Sequence, residues 1–171
     1  MNKLIKFLVI SILMCPLIAY GQREAVAEDP VIKIFNKYEE RDGVESITIS
    51  PALLGLMRNG RTNDQKTKDL ISRITGLRII TISDGSDGRG RANREALAGE
   101  LQAAVKNGFE EIMQVRTAGE RMELYIRDRD STGALLFITS NANSITVMHL
   151  AGTIDKVLID AVMSGEIGIS K

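Results

Sequence analysis

The sequence predicts an α+β fold: an antiparallel four-stranded meander extended by two further strands, with helices packed mainly on one face. The first observation is a run of short β-like segments between residues 109 and 151, separated by turns that contain Gly or Asn. The second is strict alternation, since Met122, Leu124 and Ile126 are apolar and their neighbours are polar. The third is helical apolar spacing in the segments around this region. The four predicted meander strands are residues 111–116, 121–128, 134–140 and 145–151.

Pairing residues across the three turns tests this meander. The pairs taken at the turns are Arg116 with Arg121, Arg129 with Ala134, and Ser140 with Ile145. All three registers place one set of apolar side chains on a single face, as a sheet requires because successive side chains alternate between faces. That face carries Met113, Val115, Met122, Leu124, Ile126, Leu135, Phe137, Met148 and Leu150.

Capping signals and apolar periodicity place the other elements. A first helix begins at Asp29-Pro30, where a preferred cap precedes a proline, and its apolar residues recur at helical spacing up to Tyr38. Ser50-Pro51 repeats this signal for a short second helix. The remaining predicted helices are residues 64–75, 92–107 and 154–163, the last capped by Thr153. The two further strands are residues 44–50 and 77–82, and the second is nearly all apolar, like a strand buried on both faces.

Composition narrows the functional class. The 171-residue chain has 22 Lys plus Arg and 22 Asp plus Glu, and this balance argues against nucleic-acid binding, which needs a basic surface. Aromatic residues are 4% of the chain and Trp is absent, so platforms for stacking sugars or bases are scarce. We expect no cofactor. We also expect one domain at residues 30–165, followed by a tail at residues 166–171.

The N-terminus predicts export. Lys3 and Lys6 form a basic start, residues 4–17 are almost wholly apolar, and small residues precede a cleavage site after Gly21. We therefore expect a signal peptide at residues 1–21, a polar tether at 22–29, and a soluble periplasmic or envelope protein without a transmembrane span in the mature chain. The alternative is a lipoprotein acylated at Cys15, which is disfavoured because the residue before it is not small.

Several segments carry a family resemblance. They are residues 31–38 followed by Asp42-Gly43-Val44, residues 44–50 running into 51–57, residues 77–82, Phe109-Glu110-Glu111-Ile112-Met113, and Leu150-Ala151-Gly152-Thr153-Ile154. Together they resemble the domain of unknown function (DUF) family 4252 over nearly all of the mature chain. The resemblance implies an exported bacterial envelope protein, and this chain departs from the family's many lipoproteins in its poor acylation signal. The shared motifs are core residues and turns, so the resemblance implies no catalytic residue.

A loop rich in Gly and Asp, residues 84–91, is the sharpest candidate for ligand binding. It lies between a predicted strand and a predicted helix, where phosphate-binding loops lie. Its candidate residues are Asp84, Asp87, Gly88, Arg89 and Arg91. Backbone amides and arginines suit an anion and carboxylates suit Ca²⁺, but the spacing matches neither a P-loop nor an EF-hand. The third interpretation is a surface loop without a ligand. We expect no catalytic residue and no metal site, since His149 is the only histidine.

The second face of the meander is the other candidate site. One end of it is aliphatic with a tyrosine beside it, and these residues are Tyr125, Leu136, Ile138, Ile145 and Val147. Either a helix of the chain covers them, residues 154–163 or 31–38, or they dock a protein partner or a second copy. The predicted function is a non-enzymatic envelope module that binds a partner or assembles. The alternative is a small-ligand-binding protein or hydrolase that uses the loop at residues 84–91.

Overall fold

The structure, a computed structural model, describes residues 29–59, 65–85, 88–127 and 133–164. The strands are β1 (Val44–Ile49), β2 (Ile74–Ser83), β3 (Glu110–Arg116), β4 (Glu120–Arg127), β5 (Gly133–Asn141) and β6 (Ser144–Gly152). The helices are α1 (Pro30–Tyr38), α2 (Pro51–Asn59), α3 (Gln65–Arg73), α4 (Arg89–Val105) and α5 (Lys156–Met163). The strands form one antiparallel sheet in the order β1-β2-β6-β5-β4-β3. The predicted α+β fold, a meander extended by two strands, is confirmed.

The meander is formed by β3 to β6, and the pairs predicted at its first and third turns are present. At the second turn, Ala134 pairs with Arg127 and not with Arg129. The connection therefore takes two more residues than the predicted turn. A shift of two residues leaves every side chain on its predicted face, because the side-chain period of a strand is two.

Helices cover the sheet on both faces. We call face A the side of Leu136 and Val147, and face B the side of Leu135 and Met148. Helices α1 and α4 pack on face A, whereas α2, α3 and α5 pack on face B. The structure corrects the prediction that the helices lie mainly on one face, because two of the described helices cover face A and three cover face B. The central strands β5 and β6 are apolar on both sides, and both sides therefore need cover.

Two helices begin at other residues than predicted. Helix α4 begins at Arg89, so the end of the predicted loop is its first turn. Helix α5 begins at Lys156, and its cap is Asp155 rather than Thr153. The Asp155 carboxylate accepts the Leu158 backbone N–H at 3.0 Å, which satisfies one of the free amides at a helix start.

A glycine at the end of β6 is required by its backbone and its surroundings. Gly152 has a φ of +154°, and a Cβ at this position would collide with the backbone carbonyl oxygen of Arg73. The Thr153 N–H donates to that same oxygen at 2.8 Å. The end of β6 is thus held against the junction of α3 and β2, where a side chain does not fit.

We expect Gly152→Ala to lower the free energy of unfolding by about 2–4 kcal/mol, because it adds backbone strain and a clash with backbone atoms. The matched control is Gly99→Ala in α4, where a Cβ meets nothing within 4 Å. That change should stabilise the domain by about 0.5–1 kcal/mol, since Gly is the weaker helix former. Urea denaturation followed by circular dichroism measures both, and equal effects would contradict the argument.

Candidate functional site

The loop residues predicted to bind a ligand do not converge on one point. The Asp84 carboxylate accepts two N–H bonds from the Arg94 guanidinium, at 2.9 and 3.1 Å. The Asp84 backbone N–H donates to the Asn143 carbonyl at 2.7 Å. A bidentate pair of this kind fixes the carboxylate against α4. Asp87 lies outside the described residues.

The cationic part of this predicted site lies at the start of α4. Arg91 pairs with Glu95 at 3.0 Å, one turn further along the helix. Arg89 lies 3.3 Å from a carboxylate oxygen of Asp42. Gly88 is the N-cap residue, with a φ of +73°. Ligand binding at residues 84–91 stays a prediction, and the charges named here already have partners within the chain.

Another glycine of this stretch has a packing role. A Cβ on Gly90 would collide with the Ser83 carbonyl oxygen and lie 2.9 Å from the Gly85 nitrogen. This close approach lets α4 begin directly beside the end of β2. The glycine is therefore a requirement of helix–strand packing at this position.

The second predicted site is part of the hydrophobic core. The exposed fractions are 0% for Leu136 and Val147, 3% for Ile145, 7% for Ile138 and 9% for Tyr125. Helices α1 and α4 cover these residues. Of the two helices considered as a cover, the one at residues 31–38 does so as α1, and the one at 154–163 lies on face B as α5. These residues do not form an open docking surface, because α1 and α4 cover them, and Tyr125, Ile138 and Ile145 contribute instead to the lining of a cleft beside α4.

The single histidine belongs to a buried charged cluster. Asp29, the N-cap of α1, accepts the Val31 N–H at 2.9 Å, and its second oxygen accepts from Arg127 and from His149 Nε2, the latter at 3.1 Å. The Phe35 ring packs on His149, with ring centroids 6.2 Å apart. Burial raises the pKa of Asp29, but the hydrogen bonds from His149 and Arg127 outweigh it and hold that pKa far below its usual value. This cluster ties α1 to β4 and β6.

A cleft of ≈ 170 Å³ lies on face A between α4 and the strands β4 to β6. Its wall includes the apolar side chains of Ala98, Leu101 and Ile138, and its floor includes Glu123 and Tyr125. Glu123 is only 7% exposed, which is unusual for a carboxylate. The cleft thus combines an apolar wall with a buried charge.

Hydrogen bonds hold the Glu123 carboxylate at the floor. Its Oε1 accepts from the Tyr125 hydroxyl at 2.8 Å, from Gln114 Nε2 at 3.2 Å and from the Arg121 guanidinium. Burial raises the pKa of Tyr125, and the carboxylates of Glu123 and Glu111 raise it further. The phenol therefore stays protonated and donates. Sequence reasoning missed this site because its floor and its wall come from distant segments, and only the polar residues within β4 gave a signal.

Part of face B is half-buried or exposed rather than core. A row of side chains crosses five adjacent strands there, from Thr81 on β2 to Val115 on β3. Together with two partly exposed residues of the next row, on β5 and β3, it forms the Thr–Met surface: Thr81, Thr146, Thr139, Met122, Val115, Phe137 and Met113. The hydroxyls of Thr81 and Thr146 share a hydrogen bond of 3.2 Å. None of these seven residues is charged, although charged residues make up 26% of the chain.

Helix α2 lies on the same side of the sheet and exposes apolar side chains. Its exposed fractions are 45% for Leu53, 69% for Leu56 and 43% for Met57, and only Leu54 of this helix is buried. Face B therefore has two apolar parts, an open area of the sheet and an exposed helix beside it.

Residues 38–162 match the family described as Domain of unknown function (DUF4252). The chain belongs to this family. The DUF4252 match spans all six strands and begins at the last residue of α1, which confirms the resemblance found in the sequence. No curated protein matches the chain. The solved structure of PA94, a protein of unknown function from Pseudomonas aeruginosa, is similar over 75% of this chain and 83% of its own, at 11% identity and a TM-score of 0.34.

Two further features are not found in the described part of this DUF4252 chain. Across residues 29–59, 65–85, 88–127 and 133–164, none of the helices has the length and apolar character needed to cross a membrane. The same ranges contain no group of three or more His, Cys, Asp or Glu residues placed to hold a metal ion.

Proposed function

We propose that this DUF4252 chain is an exported, non-enzymatic envelope protein that works by association, and that its first partner is a second copy of itself. The observation that carries the proposal is the uncharged Thr–Met surface beside the exposed apolar helix α2. An antiparallel sheet face open to water is normally polar. Depletion of charge with Met and Phe present is the composition of an interface core.

The shape of face B fits a second copy. Helices α2 and α3 contact β2 on face B, and α5 contacts α3, so the Thr–Met surface forms a lower step beside them. A two-fold axis would place α2 of each copy on the step of the other, with Leu53, Leu56 and Met57 against the sheet. No charge on the Thr–Met surface would have to lose water in this contact.

The area agrees with this arrangement. Seven side-chain positions, each about 4.8 Å by 7 Å, give a footprint of roughly 240 Å² for one step. The reciprocal contact uses two steps, and each partner also contributes its helix α2. Each partner thus buries about 500 Å², which is the size of a weak, transient interface (below about 1,200 Å² in total), so we expect a dimer with a dissociation constant in the micromolar range.

Sedimentation of the mature chain, residues 22–171, tests the proposal. We expect Val115→Glu on β3 and Leu56→Glu on α2 each to weaken the dimer at least about tenfold, because each buries a charge in the contact. The matched control is Ile112→Glu, on the same strand and similarly exposed at 42%, but outside the paired rows at an irregularity of β3. This control should leave the dimer unchanged.

A wild-type chain that is monomeric at all concentrations would contradict the second-copy proposal. So would equal weakening by Ile112→Glu and Val115→Glu, since the effect would then not be specific to face B. A monomer that captures another envelope protein through Val115 and Leu56 would reassign the surface to that partner.

A further inference from the structure

The cleft under α4 has an unused acceptor at its floor. Glu123 Oε1 accepts three hydrogen bonds, whereas no donor of the described chain reaches Oε2. Glu123 is also among the residues that line the cleft. An ionised carboxylate can only accept. A ligand group that reaches Oε2 must therefore donate a hydrogen bond.

The strength of the hydrogen bond, and not a surplus of charge, favours a cationic donor at the floor. Arg121 bonds to Glu123 and balances its charge. Arg94, on the rim, is held by another carboxylate. The charged residues of the lining are balanced, with the carboxylates of Glu95 and Glu123 and the guanidiniums of Arg94 and Arg121. An ionised donor is favoured at Oε2 because a hydrogen bond to an ionised donor is stronger than one to a neutral donor.

The size and the wall of the cleft limit the rest of the ligand. A cavity of about 150 Å³ accepts a molecule of the size of benzene, so this cleft of ≈ 170 Å³ takes a group of similar size. Ala98, Leu101 and Ile145 make part of its lining apolar. Such a space fits a short alkyl stem with a donor at its end, and it excludes a whole nucleotide.

We propose that this cleft binds a primary ammonium group on a short alkyl stem, with the ammonium on Glu123 Oε2 and the stem against Ala98 and Leu101. A small alkylamine and a lysine side chain of a peptide both carry this group. The cleft lies on face A, on the opposite side of the sheet from the Thr–Met surface. Its test is therefore independent of the proposed dimer.

Amide chemical shifts of the ¹⁵N-labelled mature chain test the site at pH 7. We expect n-butylamine to cause saturable shifts around Ala98 and Leu101, with a dissociation constant on the order of 1 mM, as befits a ligand of five non-hydrogen atoms. Neutral n-butanol should bind at least about fivefold more weakly, because it lacks the charge. Butyrate, which has no donor at pH 7, should cause no saturable shift.

Two variants and a control separate the parts of the site. Glu123→Gln should weaken butylamine binding at least about tenfold, and Ala98→Leu should abolish it by filling the space while the carboxylate stays. Glu110→Gln, an exposed acid on β3 that does not line the cleft, should change nothing. If Glu123→Gln does not fold, the Ala98→Leu variant, which keeps the Glu123 carboxylate, tests on its own whether butylamine binds in the cleft.

A blocked Gly-Lys-Gly peptide identifies the source of the ammonium. Binding of both the peptide and butylamine assigns the site to lysine side chains, and binding of butylamine alone assigns it to small amines. Either result supports the proposal. Unsaturated shifts spread over the acidic surface, equal binding of butyrate, or unchanged binding to Ala98→Leu would overturn it.

Discussion

Ile138→Asp will unfold the domain and will not merely disable a docking surface. Ile138 is 7% exposed and lies directly across from Glu123 in the β4–β5 ladder. The substitution removes a core side chain, which costs about 2–5 kcal/mol. It also places a second carboxylate beside one that is already buried, which adds a comparable desolvation penalty. Their sum rivals the whole stability of an ordinary domain, about 5–15 kcal/mol.

The control for this variant is Ile47→Asp on the edge strand β1, where the side chain is 55% exposed. We expect that change to stay within about 0.5 kcal/mol of wild type, as surface substitutions do. Circular dichroism and urea denaturation distinguish the two. If Ile138→Asp keeps a cooperative transition near the wild-type midpoint, the residue is not core and the burial argument fails.

The meander could be predicted because its signals are local. Gly119 and Asn141 mark short turns, and a short turn fixes the pairing of its two strands. The β4–β5 register was missed because its connection is longer than the turn suggested by Gly133. The strand pattern still gave the right faces, since the error was two residues and not one.

The position of the helices could not be predicted in the same way. The apolar stripe of α4 shows which side of the helix is buried but not which face of the sheet covers it. The aliphatic residues Leu136, Ile138 and Val147 were the useful signal, because a central strand that is apolar on both sides needs cover on both. The same apolar pattern is also compatible with an open docking surface, and the packing of α1 and α4 over these residues excludes an open surface.

The candidate sites depend on contacts between distant residues. Asp29 and His149 are 120 positions apart, and no periodicity relates them. From the sequence, Glu123 could be identified only as one of the polar residues of an alternating strand. Its burial depends on α4, which lies about 20 residues earlier in the sequence. Physical pairing rules predict which groups must find a partner when buried, but not which partner the fold supplies.

Asp29→Asn is expected to lower the free energy of unfolding by about 2–4 kcal/mol at pH 7, because it leaves the Arg127 guanidinium and His149 without their carboxylate in a mostly buried site. Asn is as good a helix cap as Asp, so the loss reports the charge and not the cap of α1. Asp29→Ala should cost about 1 kcal/mol more, because it removes the cap as well.

The control is Asp42→Asn, which removes a carboxylate from an exposed pair with Arg89. Exposed ion pairs contribute about 0–1 kcal/mol, so this variant should unfold close to the wild-type midpoint. Urea denaturation of the three variants gives the comparison. Similar losses for Asp29→Asn and Asp42→Asn would show that the buried cluster does not stabilise the fold.

The contribution of Asp29 should also depend on pH, with a sign fixed by its lowered pKa. A carboxyl whose pKa is lower in the folded chain than the unfolded value of about 3.9 stabilises the fold fully above that value. As the pH falls below that value, the unfolded chain binds a proton that the folded carboxylate, held by Arg127 and His149, does not bind. The contribution is fully lost once the pH has fallen through the folded pKa. The difference in unfolding free energy between wild type and Asp29→Asn should therefore shrink as the pH falls below about 4. A difference that persists unchanged at low pH would show that the ionised carboxylate is not what holds α1 to the sheet.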